Sequence, residues 1–362
     1  MNTFFPEIKK NFGFGCMRFP MVGEEIDEVQ VAGMVDAFLA AGFNYFDTAK
    51  PYHGGRSEGV LRRCLTSRYP RESYVLTTKL SPGSFEGAQG VRPMFEGQLK
   101  ECGVEYFDFY LLHAMNAKRY KDFTEMGIFD IAKALKAEGK IRHLGMSFHD
   151  TADVLDQILT EHPEIEAVQL QLNYVDWIDP KVQSGSCHQV CRKHGKPILV
   201  MEPVKGGSLA NLPEKASAML PNGSPASYAL RFAASQEGVV MVLSGMSDRA
   251  QMEENLATMG AFRPLEKEEL ELLDRVRTIY QGLHKIPCTA CRYCVDGCPA
   301  GIDIPELFAC LNDKRQNVEG ADARYAAQTV KADGCVECGQ CESACPQHLH
   351  IRELLKDVHA AF

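Results

Sequence analysis

Two cysteine motifs restrict the folding of this chain most severely, because each set of thiols must converge on one point. Eight of the fourteen cysteines follow the spacing Cys-x2-Cys-x2-Cys-x3-Cys-Pro twice. This spacing is typical of 4Fe-4S ligation, in which the fourth cysteine of one motif reaches across to the other cluster. The sequence therefore predicts two 4Fe-4S clusters with crossed ligands. One is held by Cys288, Cys291, Cys294 and Cys345, and the other by Cys335, Cys338, Cys341 and Cys298.

Zinc and disulfide bonds are the alternatives for these cysteines. Structural zinc usually takes two Cys-x2-Cys pairs, without a following Cys-Pro. Disulfide frameworks belong to small secreted chains. Iron-sulfur ligation is therefore favoured for the two motifs. We interpret the other six cysteines, which are scattered, as buried structural thiols; they are Cys16, Cys64, Cys102, Cys187, Cys191 and Cys310.

The composition indicates a soluble globular protein with one large and one small domain. The chain has 362 residues, of which 45% are hydrophobic, an ordinary value. No apolar run approaches the ~20 residues that span a bilayer, and the start lacks a signal pattern. A net charge of -9 without a basic block argues against nucleic-acid binding. We expect a cytoplasmic protein of a reducing, anaerobic cell that binds neither nucleic acid nor membranes.

An alternation of β-rich and helical segments runs from about residue 10 to residue 260. Eight such units over this length fit a closed (β/α)8 TIM barrel, an α/β fold, better than an open sheet. A Rossmann fold would show a Gly-x-Gly-x-x-Gly loop, and the segment at Gly13 and Gly15 lacks the third glycine. The predicted strands are 12–16, 45–48, 74–80, 107–113, 142–147, 167–172, 197–202 and 239–244.

Two domains joined by a linker follow from these patterns. Residues 1–262 are predicted to form the barrel, and residues 263–283 an amphipathic helical linker. Residues 284–362 should form a small, mainly helical ferredoxin-like iron-sulfur domain that carries both clusters. This domain is similar to the alpha-helical ferredoxin domains of fumarate reductase iron-sulfur subunits.

Four polar side chains lie at or just beyond the predicted ends of strands. Asp47, Lys79 and His113 close the second, third and fourth strands, and Tyr52 follows Asp47 by five residues. In a (β/α)8 barrel the reactive groups gather at the carboxyl ends of the strands, so these side chains should converge. Their order, Asp-x4-Tyr followed by Lys and His, resembles the catalytic tetrad of the aldo-keto reductases. The resemblance covers about residues 13–255.

This resemblance implies an oxidoreductase that transfers hydride to a carbonyl compound, or the reverse. Tyr52 is the implied proton donor, because a neighbouring ammonium such as Lys79 stabilises a phenolate and so strengthens the acid. Asp47 would hold the lysine in place. His113 would hydrogen-bond the carbonyl oxygen and align it for attack.

The same resemblance implies a nicotinamide cofactor, NADP(H) or NAD(H). Ser147 matches the serine that binds its carboxamide, and Gln169 matches a glutamine of the family. Met201 stands where the family usually has an aromatic residue, and Gln251 where a basic residue often contacts the 2'-phosphate, so NADPH and NADH both stay open. The implied cofactor contacts are Cys16, Met17, Ser147, Gln169, Met201, Pro203, Lys205, Gly245, Ser247, Arg249, Gln251, Glu254 and Asn255.

The two halves of the chain handle electrons differently, since hydride carries two electrons and a 4Fe-4S cluster exchanges one. A flavin or an external donor could connect them, the clusters could be structural, or the clusters could reduce a substrate that Tyr52 protonates. We expect an aldo-keto reductase-type enzyme acting on a small-molecule carbonyl or alcohol, with a redox partner protein if electrons leave the clusters. The alternative is an iron-sulfur electron-transfer or redox-sensing protein whose barrel docks a partner or substrate without nicotinamide turnover.

Overall fold

The chain forms two compact units in the computed structural model, which describes residues 4–221 and 223–362. Residue 1, where the predicted barrel domain begins, lies outside the described residues. The first unit contains the chain up to Pro203 together with Ala226–Glu266. The second unit consists of Val204–Pro225 and Lys267–Phe362, so the chain enters it twice.

Eight parallel strands close into a barrel in the first unit. Each strand pairs with the preceding one along the chain, and the last strand pairs with the first. The predicted (β/α)8 barrel is confirmed, and every predicted strand is found with its ends shifted by at most two residues. The strands are β1 Phe12–Gly15, β2 Tyr45–Asp47, β3 Val75–Leu80, β4 Phe107–Met115, β5 Ile141–Phe148, β6 Ala167–Gln171, β7 Ile198–Met201 and β8 Val239–Gly245.

Helices follow the strands of the barrel and make up about half of the second unit. Among the described residues, none is long and apolar enough to cross a membrane. They are α1 Glu28–Ala40, α2 Ser57–Leu61, α3 Val91–Cys102, α4 Ala117–Glu125, α5 Ile128–Ala137, α6 Ala152–Glu161, α7 Ser184–Lys193, α8 Glu214–Ser217, α9 Pro225–Ala234, α10 Arg249–Gly260, α11 Lys267–Gln281, α12 Tyr293–Asp296, α13 Ile304–Arg315, α14 Ala321–Ala326, α15 Gln340–Ala344 and α16 Ile351–Ala361.

The interior of the barrel is packed with side chains. Phe109, Leu199 and Met241 come from different strands and belong to one buried cluster. Gly13 lies against this cluster so closely that a Cβ atom there would stand 2.6 Å from Leu243 Cδ2 and 2.9 Å from Met241 Sδ. Such a contact would displace core side chains, which explains the glycine. Because apolar side chains fill the centre of the barrel, the polar side chains at the carboxyl ends of the strands lie directly above an apolar core.

The second unit has a core of its own. Phe308 of α13 and Leu355 of α16 are buried in it. The segment that follows β7 belongs to this unit: Gly206, at φ 63°, packs so tightly that a Cβ atom would lie 2.6 Å from the Thr289 carbonyl oxygen. Tyr280 OH donates a hydrogen bond to Ser208 Oγ at 2.9 Å. The second unit is therefore built from two separate stretches of the chain.

Candidate functional site

The four residues predicted as a catalytic tetrad lie at the carboxyl ends of three neighbouring strands. Asp47 is the last residue of β2, Lys79 lies one residue before the end of β3, and His113 lies near the end of β4. Tyr52 follows β2 in a tight loop. Because the strands are parallel and adjacent, their carboxyl ends meet on one face of the barrel.

Three oxygen atoms surround the ammonium group of Lys79. Its Nζ atom donates to Asp47 Oδ1 at 2.6 Å and to the Thr48 carbonyl oxygen at 2.9 Å, and it lies 3.2 Å from the Tyr52 hydroxyl oxygen. The Lys79 side chain has no exposed surface. A buried charge needs a partner of opposite charge and further hydrogen bonds, and the Asp47 carboxylate supplies the first.

The loop after β2 fixes the position of Tyr52 through its backbone. The Tyr52 amide donates to the Ala49 carbonyl oxygen at 3.0 Å, and the Tyr52 carbonyl oxygen accepts from the amides of Gly55 and Ser57. Gly55 has a φ of 87°, which side chains rarely tolerate, so this tight turn requires glycine. The turn returns the Tyr52 ring towards His113, and the two ring centroids lie 6.2 Å apart in an edge-to-face arrangement.

His113 is held by a serine that the tetrad pattern does not contain. Ser81 Oγ lies 2.6 Å from His113 Nδ1, and both residues are buried. Burial, reinforced by the positive charge of Lys79, holds the pKa of His113 well below its usual range. The imidazole is therefore neutral near neutral pH, and one of its ring nitrogens carries a hydrogen.

The carboxylate of Asp47 has a second partner, Gln169, which the sequence predicts to contact the nicotinamide cofactor. Gln169 Nε2 donates to Asp47 Oδ2 at 3.0 Å. Gln169 is also the register partner of Ser147, so these two predicted cofactor contacts lie side by side on β6 and β5. Ser147 Oγ accepts a hydrogen bond from the Ala114 amide at 2.7 Å. The structure thus brings both residues next to the predicted tetrad.

Five other predicted cofactor contacts lie at or after the ends of β1 and β7. Cys16 and Met17 come directly after β1, and the Cys16 amide donates to the Asp47 carbonyl oxygen at 2.8 Å. Burial raises the pKa of the Cys16 thiol well above its usual value, which keeps it protonated. Met201 is the last residue of β7 and Pro203 follows it, whereas Lys205 belongs to the second unit. Their contacts with a cofactor stay predictions.

Three more predicted cofactor contacts, Ser247, Arg249 and Gln251, lie at or just before the start of α10. Asp248 caps the helix by accepting from the Gln251 amide at 2.8 Å. The Gln251 side chain donates to Asp248 and accepts from the Ser247 amide, both at 2.9 Å. Arg249 forms an exposed ion pair with Glu253 at 2.7 Å.

The last three predicted contacts flank that helix start. Gly245 ends β8, Glu254 is exposed on α10, and Asn255 is buried with its side-chain amide 3.3 Å from Ser244 Oγ. Because β8 neighbours β1 in the barrel, Gly245 lies opposite Gly15, close to Cys16 and Met17. Gly245, Asn255 and the residues after β1 thus lie in one region of the first unit.

The eight motif cysteines line two cavities within the second unit. In the described residues, no group of three or more His, Cys, Asp or Glu side chains is arranged to hold a single metal ion. The cysteines instead form two separate groups of four. Cys288, Cys291, Cys294 and Cys345 line the first cavity, and Cys298, Cys335, Cys338 and Cys341 line the second.

Each cavity therefore combines three cysteines of one motif with the fourth cysteine of the other motif. This is the grouping that crossed ligation requires. Thiolates are the ligands that iron-sulfur clusters take, and apolar side chains such as Phe308 and Leu355 complete the two linings. The four thiols that line each cavity are therefore a donor set that fits iron-sulfur ligation.

Comparison with known proteins agrees with this architecture. The aldo/keto reductase family profile matches residues 11–278, and a 4Fe-4S dicluster domain profile matches residues 287–350. An aldo-keto reductase of Mycobacterium avium is 27% identical over 271 residues, which cover 74% of this chain and 89% of that protein. The NADH-specific methylglyoxal reductase of Escherichia coli is 26% identical over 297 residues, with coverages of 67% and 88%.

Solved structures share the barrel fold. An aldo-keto reductase from Bacillus halodurans superimposes with a TM-score of 0.61 at 23% identity, covering 74% of this chain and 91% of that one. An aldo-keto reductase from Klebsiella pneumoniae in complex with NADPH gives a TM-score of 0.60 at 22% identity, with coverages of 74% and 90%. The chain belongs to the aldo/keto reductase family of oxidoreductases and carries a 4Fe-4S dicluster domain after its barrel.

Proposed function

We propose that this protein uses NAD(P)H to reduce a small-molecule carbonyl compound, or oxidises the corresponding alcohol with NAD(P)+, and that it holds two 4Fe-4S clusters. The observation that carries the catalytic part is the convergence of a fully buried Lys79 on Asp47 and on the Tyr52 hydroxyl. A buried lysine beside a tyrosine is costly to maintain for packing alone, but it suits a tyrosine that must release a proton.

Tyr52 acts as the proton donor in this proposal. Negative charge develops on the carbonyl oxygen as the carbonyl carbon is reduced, and a positioned acid must supply a proton there. The ammonium of Lys79, 3.2 Å from the phenolic oxygen, stabilises the phenolate that remains. Asp47 and the Thr48 carbonyl oxygen keep the ammonium in place, and Asp47 balances its charge.

His113 positions the carbonyl group. Its neutral ring can donate one N–H hydrogen bond to the carbonyl oxygen while Tyr52 approaches the same oxygen. A neutral donor suits this task, because an imidazolium beside Lys79 would be disfavoured by both burial and charge repulsion.

The strand ends beside this site fit a nicotinamide. Ser147 and Gln169 lie side by side, nearly without exposed surface, and offer the hydroxyl and amide groups that a carboxamide can pair with. A bound reduced nicotinamide supplies the hydride. The predicted contacts at Gly245 and along the start of α10 would bind the rest of the cofactor, and Arg249 is the candidate there for a phosphate contact.

Each of the two cysteine-lined cavities holds one 4Fe-4S cluster in this proposal. The crossed grouping of the cysteines supports two separate clusters better than a single site. Cys338 is exposed at the second cavity, and Val336 beside it has 64% of its surface exposed. This exposure favours electron exchange with a redox partner protein, which is the second candidate function.

Anaerobic turnover measurements test the catalytic proposal. We expect the cluster-loaded protein to oxidise NADPH or NADH with at least one member of a carbonyl panel that includes methylglyoxal, the compound named for the Escherichia coli relative. Tyr52→Phe removes the proton donor, so kcat should fall about 10²- to 10⁴-fold, the usual contribution of a general acid. Stopped-flow absorbance at the nicotinamide band measures the turnover of the wild type and of Tyr52→Phe.

A matched control is Tyr74→Phe, since Tyr74 is also buried but lies just before the start of β3, at the other end of the barrel. It should leave kcat unchanged. Wild-type turnover in Tyr52→Phe would remove Tyr52 as the acid. If neither nucleotide is consumed with any carbonyl, while a protein partner exchanges electrons with the clusters, the second candidate function replaces the first.

A further inference from the structure

Ser81 is hydrogen-bonded to the His113 ring. It follows the end of β3 directly and lies two residues beyond Lys79. Alternate residues of a strand point to the same side, so β3 directs both Lys79 and Ser81 towards the site. Ser81 Oγ and His113 Nδ1 are 2.6 Å apart, and the two residues are only 2% and 5% exposed.

The neutral ring of His113 can exist in two forms. Either Nε2 carries the hydrogen and Nδ1 accepts a hydrogen bond, or Nδ1 carries it and Nε2 is an acceptor. A carbonyl oxygen can only accept. The proposed positioning of a carbonyl group by Nε2 therefore requires the first form, and the second form would repel the substrate oxygen.

The hydroxyl of Ser81 selects between these forms through its own hydrogen. In the described part of the chain, His113 Nδ1 is the hydrogen-bond partner of Ser81 Oγ. If Nδ1 donated to Ser81, the buried hydroxyl hydrogen would have no acceptor, and an unsatisfied buried donor is unfavourable. If Ser81 donates to Nδ1, both the hydroxyl hydrogen and Nδ1 have a hydrogen-bond partner, and the ring hydrogen lies on Nε2.

We propose that Ser81 is a positioning residue that keeps His113 in the Nε2–H form, ready to donate to a substrate carbonyl oxygen. This inference rests on the proposed function, because that function gives Nε2 a carbonyl oxygen to which it donates. The hydrogen bond itself, and the form of the ring that it favours, exist in the resting protein without substrate or nicotinamide.

The form of the ring can be measured without turnover. Long-range proton–nitrogen spectra of protein labelled at its histidine nitrogens distinguish the two forms, and the His113 signal is the one absent in His113→Gln. We expect the Nε2–H form in the wild type, a shift towards the Nδ1–H form in Ser81→Ala, and a return in Ser81→Thr, which restores a hydroxyl. A wild-type Nδ1–H form, or an unchanged Nε2–H form in Ser81→Ala, would overturn the proposal.

Kinetics then separate this role from simple packing. Ser81→Ala should lower kcat by about 10- to 100-fold with little change in KM, since misalignment of a positioning group acts mainly in the transition state. Ser81→Thr should recover most of the loss. The control is Ser184→Ala, because Ser184 is equally buried and donates to the Gln171 carbonyl oxygen at 2.7 Å, away from His113.

Failure of the proposed function gives a different result from failure of this inference. If the Nε2–H form depends on Ser81 but no carbonyl is reduced, the hydrogen bond stands and the assigned reaction is wrong. If carbonyls are reduced and Ser81→Ala retains full kcat, the reaction stands and Ser81 has no positioning role.

Discussion

Removing the charge of Asp47 should destabilise the barrel more than any ordinary surface substitution. Asp47→Asn keeps the shape of the side chain but leaves the Lys79 ammonium without its carboxylate partner at 2.6 Å. Lys79 has no exposed surface, and its other two contacts, the Thr48 carbonyl oxygen and the Tyr52 hydroxyl, are neutral. Breaking a buried ion pair from one side costs about 3–5 kcal/mol. Because two neutral contacts remain, we expect about 3 kcal/mol.

Urea unfolding monitored by tryptophan fluorescence measures this loss. Trp177 is the single tryptophan of the chain and lies in the first unit, so its fluorescence reports the unfolding of the barrel. With a urea dependence of about 3 kcal/mol per M for a unit of this size, the midpoint should fall by about 1 M. The control is Glu138→Gln, which breaks an ion pair with Arg92 that is about half exposed and should cost less than about 1 kcal/mol.

The double variant Asp47→Asn/Lys79→Met decides whether the uncompensated charge is the cause. Methionine fills a similar volume without charge, so part of the stability lost in Asp47→Asn should return. A double variant that is as unstable as the sum of the two single variants would refute the reasoning, as would an Asp47→Asn midpoint within the range of the Glu138→Gln control.

Two further predictions concern other parts of the chain. Burial opposes a charge on His143, but hydrogen bonds to Glu166 and Glu7 outweigh it and raise the pKa of His143 to about 9. Its contribution to stability should therefore be complete below the unfolded pKa of about 6.5 and decline as the pH rises through about 9. The urea midpoint of the wild type should fall over that interval more than that of His143→Gln, and equal slopes would contradict the assignment. In the second unit, Cys345→Ala should remove the same cluster signal from the electron paramagnetic resonance spectrum of the reduced protein as Cys294→Ala; loss of the other signal would exclude crossed ligation.

The barrel can be predicted from the sequence because its signal is repeated. Each strand candidate is followed by a helical segment, and eight repetitions leave little freedom in the topology. The helix α4 is different, since Tyr120 and Phe123 are its only buried residues, and two apolar positions are too few to distinguish a short helix from a loop. Two side chains fix its start: Asn116 accepts from the Arg119 amide at 2.9 Å, and Asp150 accepts from the Ala117 amide at 2.8 Å. Asparagine is as common in turns as at helix starts, and the contact with Asp150 joins distant parts of the chain.

The candidate site divides in a similar way. The ends of β2, β3 and β4 follow from the strand pattern, so the meeting of Asp47, Lys79 and His113 can be expected from the sequence. The contact between Gln169 and Asp47 cannot, because it joins strands that are separated around the barrel and depends on the directions of side chains across the interior. The sequence nevertheless contains a clue to Ser81, since it stands two residues beyond Lys79.

The membership of Val204–Pro225 in the second unit has a consequence for how the protein is made. These residues leave the ribosome before Ala226–Glu266 and long before Lys267–Phe362, which contain Thr289 and Tyr280, the partners of Gly206 and Ser208. The last strand of the barrel is therefore synthesised while Val204–Pro225 still lacks the residues against which it packs. A fragment that ends before α11 would keep every strand of the barrel but would leave Val204–Pro225 without the residues against which it packs. Removal of the cluster-binding region would therefore also affect a segment that lies between β7 and β8 in the sequence.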